Sequence, residues 1–187
     1  MGEEESLVIK AAYDQGINTW DTADTYSNGD SEIILGKALK KYNIVRSKVV
    51  IMSKIFSPVM DEDLRPASVA DGPFVNQMGL SCKSIFEAVG RCLQRLGTDY
   101  TGRLNFLVLK HSALLNDFTD VLQIHRLNRE TTPEEIMRVL HEVVMSGKVR
   151  CMGASTMYTW EFVRLQYIAK MNGWTECVSI QPPYNLL

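Results

Sequence analysis

Four polar side chains stand at or just beyond the ends of apolar runs, and their types suit the reduction of a carbonyl group: Asp21, Tyr26, Lys54 and His125. Transfer of a hydride requires no protein nucleophile, but the developing alkoxide requires a proton and electrostatic stabilisation. A phenol, with an unperturbed pKa of about 10, is a weak acid at neutral pH unless a cation lies close to it. Lys54 would supply that cation, Asp21 would hold the lysine, and His125 would hydrogen-bond the carbonyl oxygen.

Each of these residues, taken singly, has an ordinary structural explanation. Asp21 in the run Asp-Thr-Ala-Asp-Thr could cap a turn, and a tyrosine just beyond a strand is usually a half-buried packing residue. A lysine or a histidine at the end of a strand is commonly solvated. The occurrence of all four at strand ends within one chain favours a chemical site over these separate explanations.

The spacing of apolar residues along the chain predicts the strands and helices that would bring these side chains together, and the two kinds of element alternate. The predicted helices are Leu7–Tyr13, Ser31–Lys41 and, approximately, 81–96, 132–145 and 159–171. Residues 55–79 hold three prolines and predict a long loop. Strands separated by helices imply right-handed βαβ units, hence a parallel sheet with helices outside it. The predicted strands are Ile17–Asp21, Lys48–Lys54, Asp120–His125, Val149–Gly153 and Glu176–Gln181.

Two parallel architectures compete for this pattern. A doubly wound dinucleotide-binding sheet would place a G-x-G-x-x-G motif after its first strand, and the sequence contains no such motif. A (β/α)8 barrel collects its chemistry at the carboxyl ends of several strands, which is where the four polar residues stand. The sequence therefore predicts an α/β fold, a partial (β/α)8 TIM barrel in which about five to six βα units are present.

The composition of the 187-residue chain is that of one globular domain, with 45% apolar and 22% charged residues. The formal charge of −2 shows no basic excess, so nucleic acid is not expected as a partner. No apolar run approaches the roughly 20 residues that a membrane span requires, and the acidic start, residues 1–6, is unlike a signal peptide. We expect a cytoplasmic protein that binds neither membrane nor nucleic acid.

The cysteines give no indication of a metal site or of disulfides. None of them forms a CxxC pair or has a histidine at the spacing of metal ligands. Reduced thiols in a cytoplasmic protein, with no metal bound, are the simplest interpretation. The cysteines concerned are Cys82, Cys92, Cys151 and Cys177.

The segment Asn18–Leu39, which reads NTWDTADTYSNGDSEIILGKAL, strongly resembles the signature of the aldo-keto reductase superfamily. It is most similar to the fungal reductases of the versiconal-acetate-reductase and aryl-alcohol-dehydrogenase type. Three further blocks, Val50–Lys54, Leu122–Arg126 and Gly147–Ser155, resemble the family blocks that follow in the same order. An ordered set of this length is far more specific than any single motif.

The resemblance implies a role for each of the four polar residues. Tyr26 would be the proton donor, Lys54 and Asp21 would tune it, and His125 would orient the substrate. The implied reaction is the NADPH-dependent reduction of an aldehyde or ketone, a small-molecule carbonyl substrate, to an alcohol. The resemblance specifies neither the individual substrate nor the oligomeric state.

The same resemblance implies a nicotinamide site built without a Rossmann domain, with NADP(H) bound in an extended form. Ser155 and Gln181 correspond to positions that hydrogen-bond the nicotinamide amide in the family. Thr156 stands where many members carry asparagine, and it is the third expected cofactor-binding residue.

The sequence departs from the family pattern at both ends and once inside the chain. We expect an incomplete domain over residues 1–187, because the family's first strand and its last two βα units have no counterpart here. Those last units hold the adenosine 2′-phosphate and the pyrophosphate in the family. Residues 101–119 separate two blocks that are almost contiguous in relatives, and they predict an atypical insertion. It is either an in-frame intron that has been translated or a genuine surface insertion.

A second class of function stays open at this point. The chain could be a truncated, non-catalytic homologue, or a cofactor-sensing regulatory subunit that lacks the adenosine-phosphate site. The complete set of four polar residues favours an enzyme, and the expected loss of the phosphate-binding units favours the alternative.

Overall fold

The computed structural model describes residues 3–60, 74–97 and 119–185 of the chain. In these residues five strands form one sheet in chain order, and every neighbouring pair is parallel. The helices are α1 (Glu3–Asp14), α2 (Asp30–Lys41), α3 (Cys82–Arg95), α4 (Pro133–Met145) and α5 (Thr159–Asn172). The strands are β1 (Thr19–Asp21), β2 (Val50–Ile55), β3 (Thr119–Ile124), β4 (Val149–Ser155) and β5 (Cys177–Gln181). This is a half-barrel with helices, which confirms the predicted fold class.

The predicted elements all form, with shifted ends. Strand β2 continues to Ile55, one residue into the stretch predicted as loop, and β4 continues to Ser155. Helix α1 begins earlier than predicted, since its first turn includes the acidic residues Glu4 and Glu5. Negative side chains at a helix amino terminus interact favourably with the helix dipole, and a hydrophobic pattern does not register that contribution.

The hydrophobic core lies between the outer face of the sheet and the helices. Helix α3 begins after Ser81, whose side chain accepts a hydrogen bond from the backbone N–H of Ser84. Helix α4 begins after Thr132, which caps it in the same way, with Pro133 in the first turn. Helix α3 packs against β2 and α4 against β4, and both bury an apolar stripe in one cluster with the outward residues of the sheet. The fully buried members of this cluster include Ile85, Leu122, Ile124, Ile136, Met137, Val139, Met152 and Ala154.

The inner face of the sheet carries polar side chains instead. Lys54 pairs in register with Gln123, Gln123 with Gly153, and Gly153 with Ser179. Because successive side chains of a strand alternate between faces, the apolar neighbours of this row on β2, β3 and β4 point outward into the core. The sheet therefore presents one polar row across β2 to β5 on the side away from the helices.

The predicted insertion at residues 101–119 lies outside the described residues except for Thr119, which is the first residue of β3. Its nature, like the division of the chain into a single incomplete domain, stays a prediction. Of the predicted loop 55–79, residues 61–73 lie outside the described residues as well.

None of the helices within the described ranges is both long and apolar enough to span a membrane.

Candidate active site

Lys54 connects the side chains that the sequence predicted to meet. Its Nζ forms an ion pair with Asp21 Oδ2 and lies 3.2 Å from the hydroxyl of Tyr26. The carbonyl oxygen of Thr22 accepts a third hydrogen bond from the same ammonium, at 3.2 Å. The lysine side chain is buried, and these partners replace the water that a buried ammonium has lost. The structure thus brings Asp21, Lys54 and Tyr26 together at the carboxyl ends of β1 and β2.

The turn after β1 places Tyr26 above the lysine. The 3₁₀ turn Tyr26–Gly29 contains two non-glycine residues with left-handed backbone, Ser27 at φ +48° and Asn28 at φ +53°. Asparagine is one of the few residues that adopt this conformation at low cost. Its side chain also fixes the turn, because Asn28 Oδ1 accepts a hydrogen bond from the backbone N–H of Met60 at 2.8 Å. The stretch that follows β2 therefore helps to hold the tyrosine in place.

His125 follows β3 directly and faces the tyrosine. Its backbone N–H donates to the carbonyl oxygen of Ile55 at 3.0 Å, so the parallel pairing of β2 and β3 sets its position. The imidazole ring meets the Tyr26 ring edge-on, with centroids 5.8 Å apart and planes at 85°. Burial lowers the pKa of His125 below its ordinary value of 6.5, and the nearby charges of Lys54 and Arg126 lower it further. These surroundings therefore favour the neutral imidazole.

The three residues expected to bind the cofactor lie together at the ends of β4 and β5. The Ser155 hydroxyl donates to the Gln181 carbonyl oxygen at 2.7 Å and lies 3.3 Å from the Thr156 hydroxyl. The Gln181 side-chain amide donates to Asp21 Oδ2 at 3.3 Å, which connects this group to the lysine. Thr156 has a left-handed backbone, φ +42°, which asparagine adopts more easily than a β-branched residue.

Gln123 belongs to the same cluster, although it is not among the site residues predicted from the sequence. It is fully buried, and its side-chain amide donates to Asp21 Oδ1 at 3.1 Å. The available signal was a polar residue two positions before His125, between the apolar residues Leu122 and Ile124. That spacing places Gln123 and His125 on the same face of β3.

A second set of buried charged residues lies on the helix side of the sheet, opposite the lysine, and connects β2 to the helices. Glu32 on α2 is fully buried, and it accepts hydrogen bonds from Ser53 Oγ at 2.5 Å and from Arg95 Nε at 2.6 Å. Ser53 is the residue before Lys54 and points to the opposite face. A buried carboxylate that is paired in this way fixes β2 against α2 and α3.

Comparison with known proteins identifies the family of the chain. The family model described as "Aldo/keto reductase family" matches residues 2–107 and 110–187 of the chain. The chain belongs to the aldo/keto reductase family. Members of this family are nicotinamide-dependent enzymes that reduce small-molecule carbonyl compounds, so the family is one of oxidoreductases.

Among the curated relatives of this aldo/keto reductase chain, the versiconal hemiacetal acetate reductase of Aspergillus parasiticus is 49% identical over 193 residues. That alignment covers 100% of this chain and 51% of the relative. A putative aryl-alcohol dehydrogenase of Schizosaccharomyces pombe is 45% identical, with 99% and 54% covered. The chain thus spans about half the length of the curated relatives it matches.

A crystal structure of a thermostable aldo-keto reductase, in complex with an inhibitor, superposes with a TM-score of 0.69 at 24% sequence identity. The superposition covers 98% of this chain and 51% of the other. At this identity the likeness establishes the fold, and it agrees with the half-barrel described above.

Proposed function

We propose that this chain forms the catalytic half of an NADPH-dependent reductase that converts aldehyde or ketone carbonyls to alcohols, with Tyr26 as proton donor. The observation that carries the proposal is the position of Lys54, whose ammonium contacts both Asp21 and the Tyr26 hydroxyl. A cation beside a phenol favours loss of the phenolic proton, and the neighbouring carboxylate keeps that cation in place.

The remaining steps follow from the side chains around the hydroxyl. A substrate carbonyl oxygen placed between Tyr26 and His125 receives a hydrogen bond from each, which polarises the carbonyl group. As the carbonyl carbon gains a hydride, the Tyr26 O–H bond breaks and the oxygen takes the proton, so an alcohol forms. Lys54 stabilises the phenolate that remains. A neutral His125 suits this role, since it donates a hydrogen bond without adding a second cation beside the lysine.

NADPH would supply the hydride when bound, and Ser155, Thr156 and Gln181 are the residues proposed to hold its nicotinamide. A carboxamide has one acceptor oxygen and two donor hydrogens. The Ser155 hydroxyl and the Gln181 amide lie close together at the carboxyl ends of β4 and β5, and they offer complementary donors and acceptors. The preference for NADPH over NADH is inferred from the resemblance to the fungal reductases.

An aromatic carbonyl compound is the proposed substrate class, because one of the relatives is named as an aryl-alcohol dehydrogenase. Aromatic side chains beside the proposed carbonyl position support this choice. The Tyr26 and His125 rings meet edge-on there. A cytoplasmic location is part of the proposal, and the free thiols of all four cysteines are consistent with a reducing compartment.

The proposal is tested by steady-state oxidation of NADPH in the presence of an aromatic aldehyde. Tyr26→Phe removes only the phenolic oxygen, and we expect turnover to fall by about 10²- to 10⁴-fold. Tyr167→Phe is the matched control, because Tyr167 is an exposed tyrosine on α5, and it should retain the parent rate. Equal rates for Tyr26→Phe and the parent chain would show that Tyr26 is not the proton donor.

The non-catalytic alternative makes a different prediction in the same experiment. A cofactor-sensing subunit would bind NADPH, observed as enhanced NADPH fluorescence, without oxidising it when aldehyde is added. We expect binding and Tyr26-dependent oxidation together.

A further inference from the structure

Gln123 lies at the centre of the inner face of the sheet, next to the residues of the proposed mechanism. It pairs in register with Lys54 on one side and with Gly153 on the other. Its side chain is completely buried and extends back toward β1, where its amide donates to Asp21 Oδ1 at 3.1 Å. Asp21 and Gln123 are therefore joined although β2 lies between their strands.

The Asp21 carboxylate is held at both of its oxygens. Oδ2 is paired with the Lys54 ammonium, and Oδ1 accepts from Gln123. The terminal torsion of an aspartate is broad, and the Asp21 side chain is 31% exposed, so packing alone does not fix the carboxylate plane. A donor at Oδ1 prevents the carboxylate from turning Oδ2 away from the lysine.

We propose that Gln123 is a positioning residue of the reductase, one that keeps Asp21 directed at Lys54 so that the ammonium stays beside Tyr26. The expected effect on turnover rests on the proposed function. It also assigns Gln181 a lesser part, because the Gln181 amide reaches Asp21 Oδ2 at 3.3 Å and lies at the rim proposed for the nicotinamide. The Gln123 amide also lies 3.5 Å from Gln181 Oε1, so the two glutamines contact each other as well as Asp21.

A structural role alone does not account for a glutamine at this position. Gln123 Oε1 is buried and has no hydrogen-bond partner among the described residues. An unpaired buried acceptor destabilises the fold, and a leucine of similar size would avoid that cost. A residue that lowers stability while it orients a charged group is expected to serve the site.

Gly153 provides the space that Gln123 occupies. A Cβ atom at Gly153 would lie 2.5 Å from Ser179 Oγ and 3.2 Å from Gln123 Cγ. Any side chain on this residue of β4 would therefore displace the Ser179 hydroxyl and crowd Gln123, its two register neighbours. The absence of a side chain at Gly153 leaves room for the Gln123 side chain.

The kinetic test uses two substitutions of Gln123 in the full chain, with NADPH and an aromatic aldehyde. Gln123→Leu should lower kcat by about 10-fold, the effect of losing a hydrogen bond to a charged group. KM should stay the same, and the urea midpoint of unfolding should stay the same or rise. Gln123→Glu should approach the parent rate at acid pH, where a protonated glutamate donates to Asp21, and lose activity as it ionises. Gln94→Leu, at an exposed position of α3, is the control and should match the parent.

Two kinetic outcomes overturn the proposal: a parent-like kcat for Gln123→Leu, or a parent-like pH profile for Gln123→Glu. A crystal structure of the Gln123→Leu chain tests the geometry without turnover, and it should show the Asp21 carboxylate rotated with Oδ2 off Lys54. An unmoved Asp21 also overturns the proposal. If the parent chain shows no Tyr26-dependent turnover, the proposed function fails, and that crystal structure alone decides whether Gln123 orients Asp21.

Discussion

The Asp24 carboxylate accepts a hydrogen bond from the backbone N–H of Phe56 at 3.0 Å, which ties the residues after β1 to those after β2. Asp24 is 1% exposed, and its Oδ1 has no partner among the described residues. Burial raises the pKa of Asp24 to about 7, and the neighbouring Glu32 adds to the increase. The turn that carries Tyr26 is therefore anchored by a carboxyl group that titrates near neutrality.

We expect Asp24 to make the stability of the chain depend on pH. The folded state holds its proton more tightly than the unfolded state, in which the pKa is near 3.8. The protonated Asp24 thus contributes stability that is fully present below pH 3.8 and is lost as the pH rises through 7. Asp24→Asn keeps an acceptor for Phe56 without a charge.

The measurement for Asp24→Asn is urea unfolding at two pH values. The free energy of unfolding of Asp24→Asn should exceed that of the parent by more at pH 8 than at pH 5, and the difference between the two excesses should be about 2–3 kcal/mol. An excess that is the same at both values would mean that Asp24 does not titrate between them.

The titration of His125 should report the charge on Lys54. We expect its NMR midpoint below 6.5, and Lys54→Met should raise the midpoint part of the way back, because burial is the larger cause and remains. His141, whose Nδ1 lies 3.1 Å from the backbone nitrogen of Thr175, is the internal control, and its signal should be the same in both proteins. An unchanged His125 midpoint in Lys54→Met would place the ammonium away from the imidazole.

Gly36 should tolerate no side chain, whereas Gly90 should accept one. A Cβ on Gly36 of α2 would overlap the carbonyl group of Leu96, which is backbone and cannot move aside, and nothing lies within 4 Å of a Cβ on Gly90. Gly36→Ala should therefore cost about 1–3 kcal/mol of stability. Gly90→Ala in α3 should add about 0.5–1 kcal/mol. Urea midpoints measure both, and a stable Gly36→Ala would contradict the close helix contact.

The sequence allowed the fold and the convergence of four side chains to be predicted because both depend on local rules. Strands that alternate with helices become parallel, and polar residues at their carboxyl ends share one edge. Asp21, Lys54 and His125 each occupy such an end, and Tyr26 follows on the next turn. Gly36 stands in the block that resembled the family signature, and its contact with Leu96 supplies a physical reason for a glycine there.

The contacts of Gln123 and Asp24 could not be predicted in this way, because they depend on register and on burial. Gly153 leaves room beside Gln123, and the sequence does not reveal that the two are register partners. Asp24 follows Asp21 by three residues and looks equally exposed in the sequence. The stretch after β2 covers it, and that stretch has no hydrophobic pattern from which its path could be predicted.

The central claim is that Lys54 acts through the hydroxyl of Tyr26, and a double-mutant cycle on the single-turnover rate of NADPH oxidation by an aromatic aldehyde tests it most directly. Lys54→Met and Tyr26→Phe should each slow this step by about 10²- to 10⁴-fold. The double variant should be no slower than Tyr26→Phe alone, within about threefold, because residues that act as a unit are not additive. Losses that multiply in the double variant would show that the two side chains act independently, and would contradict the account.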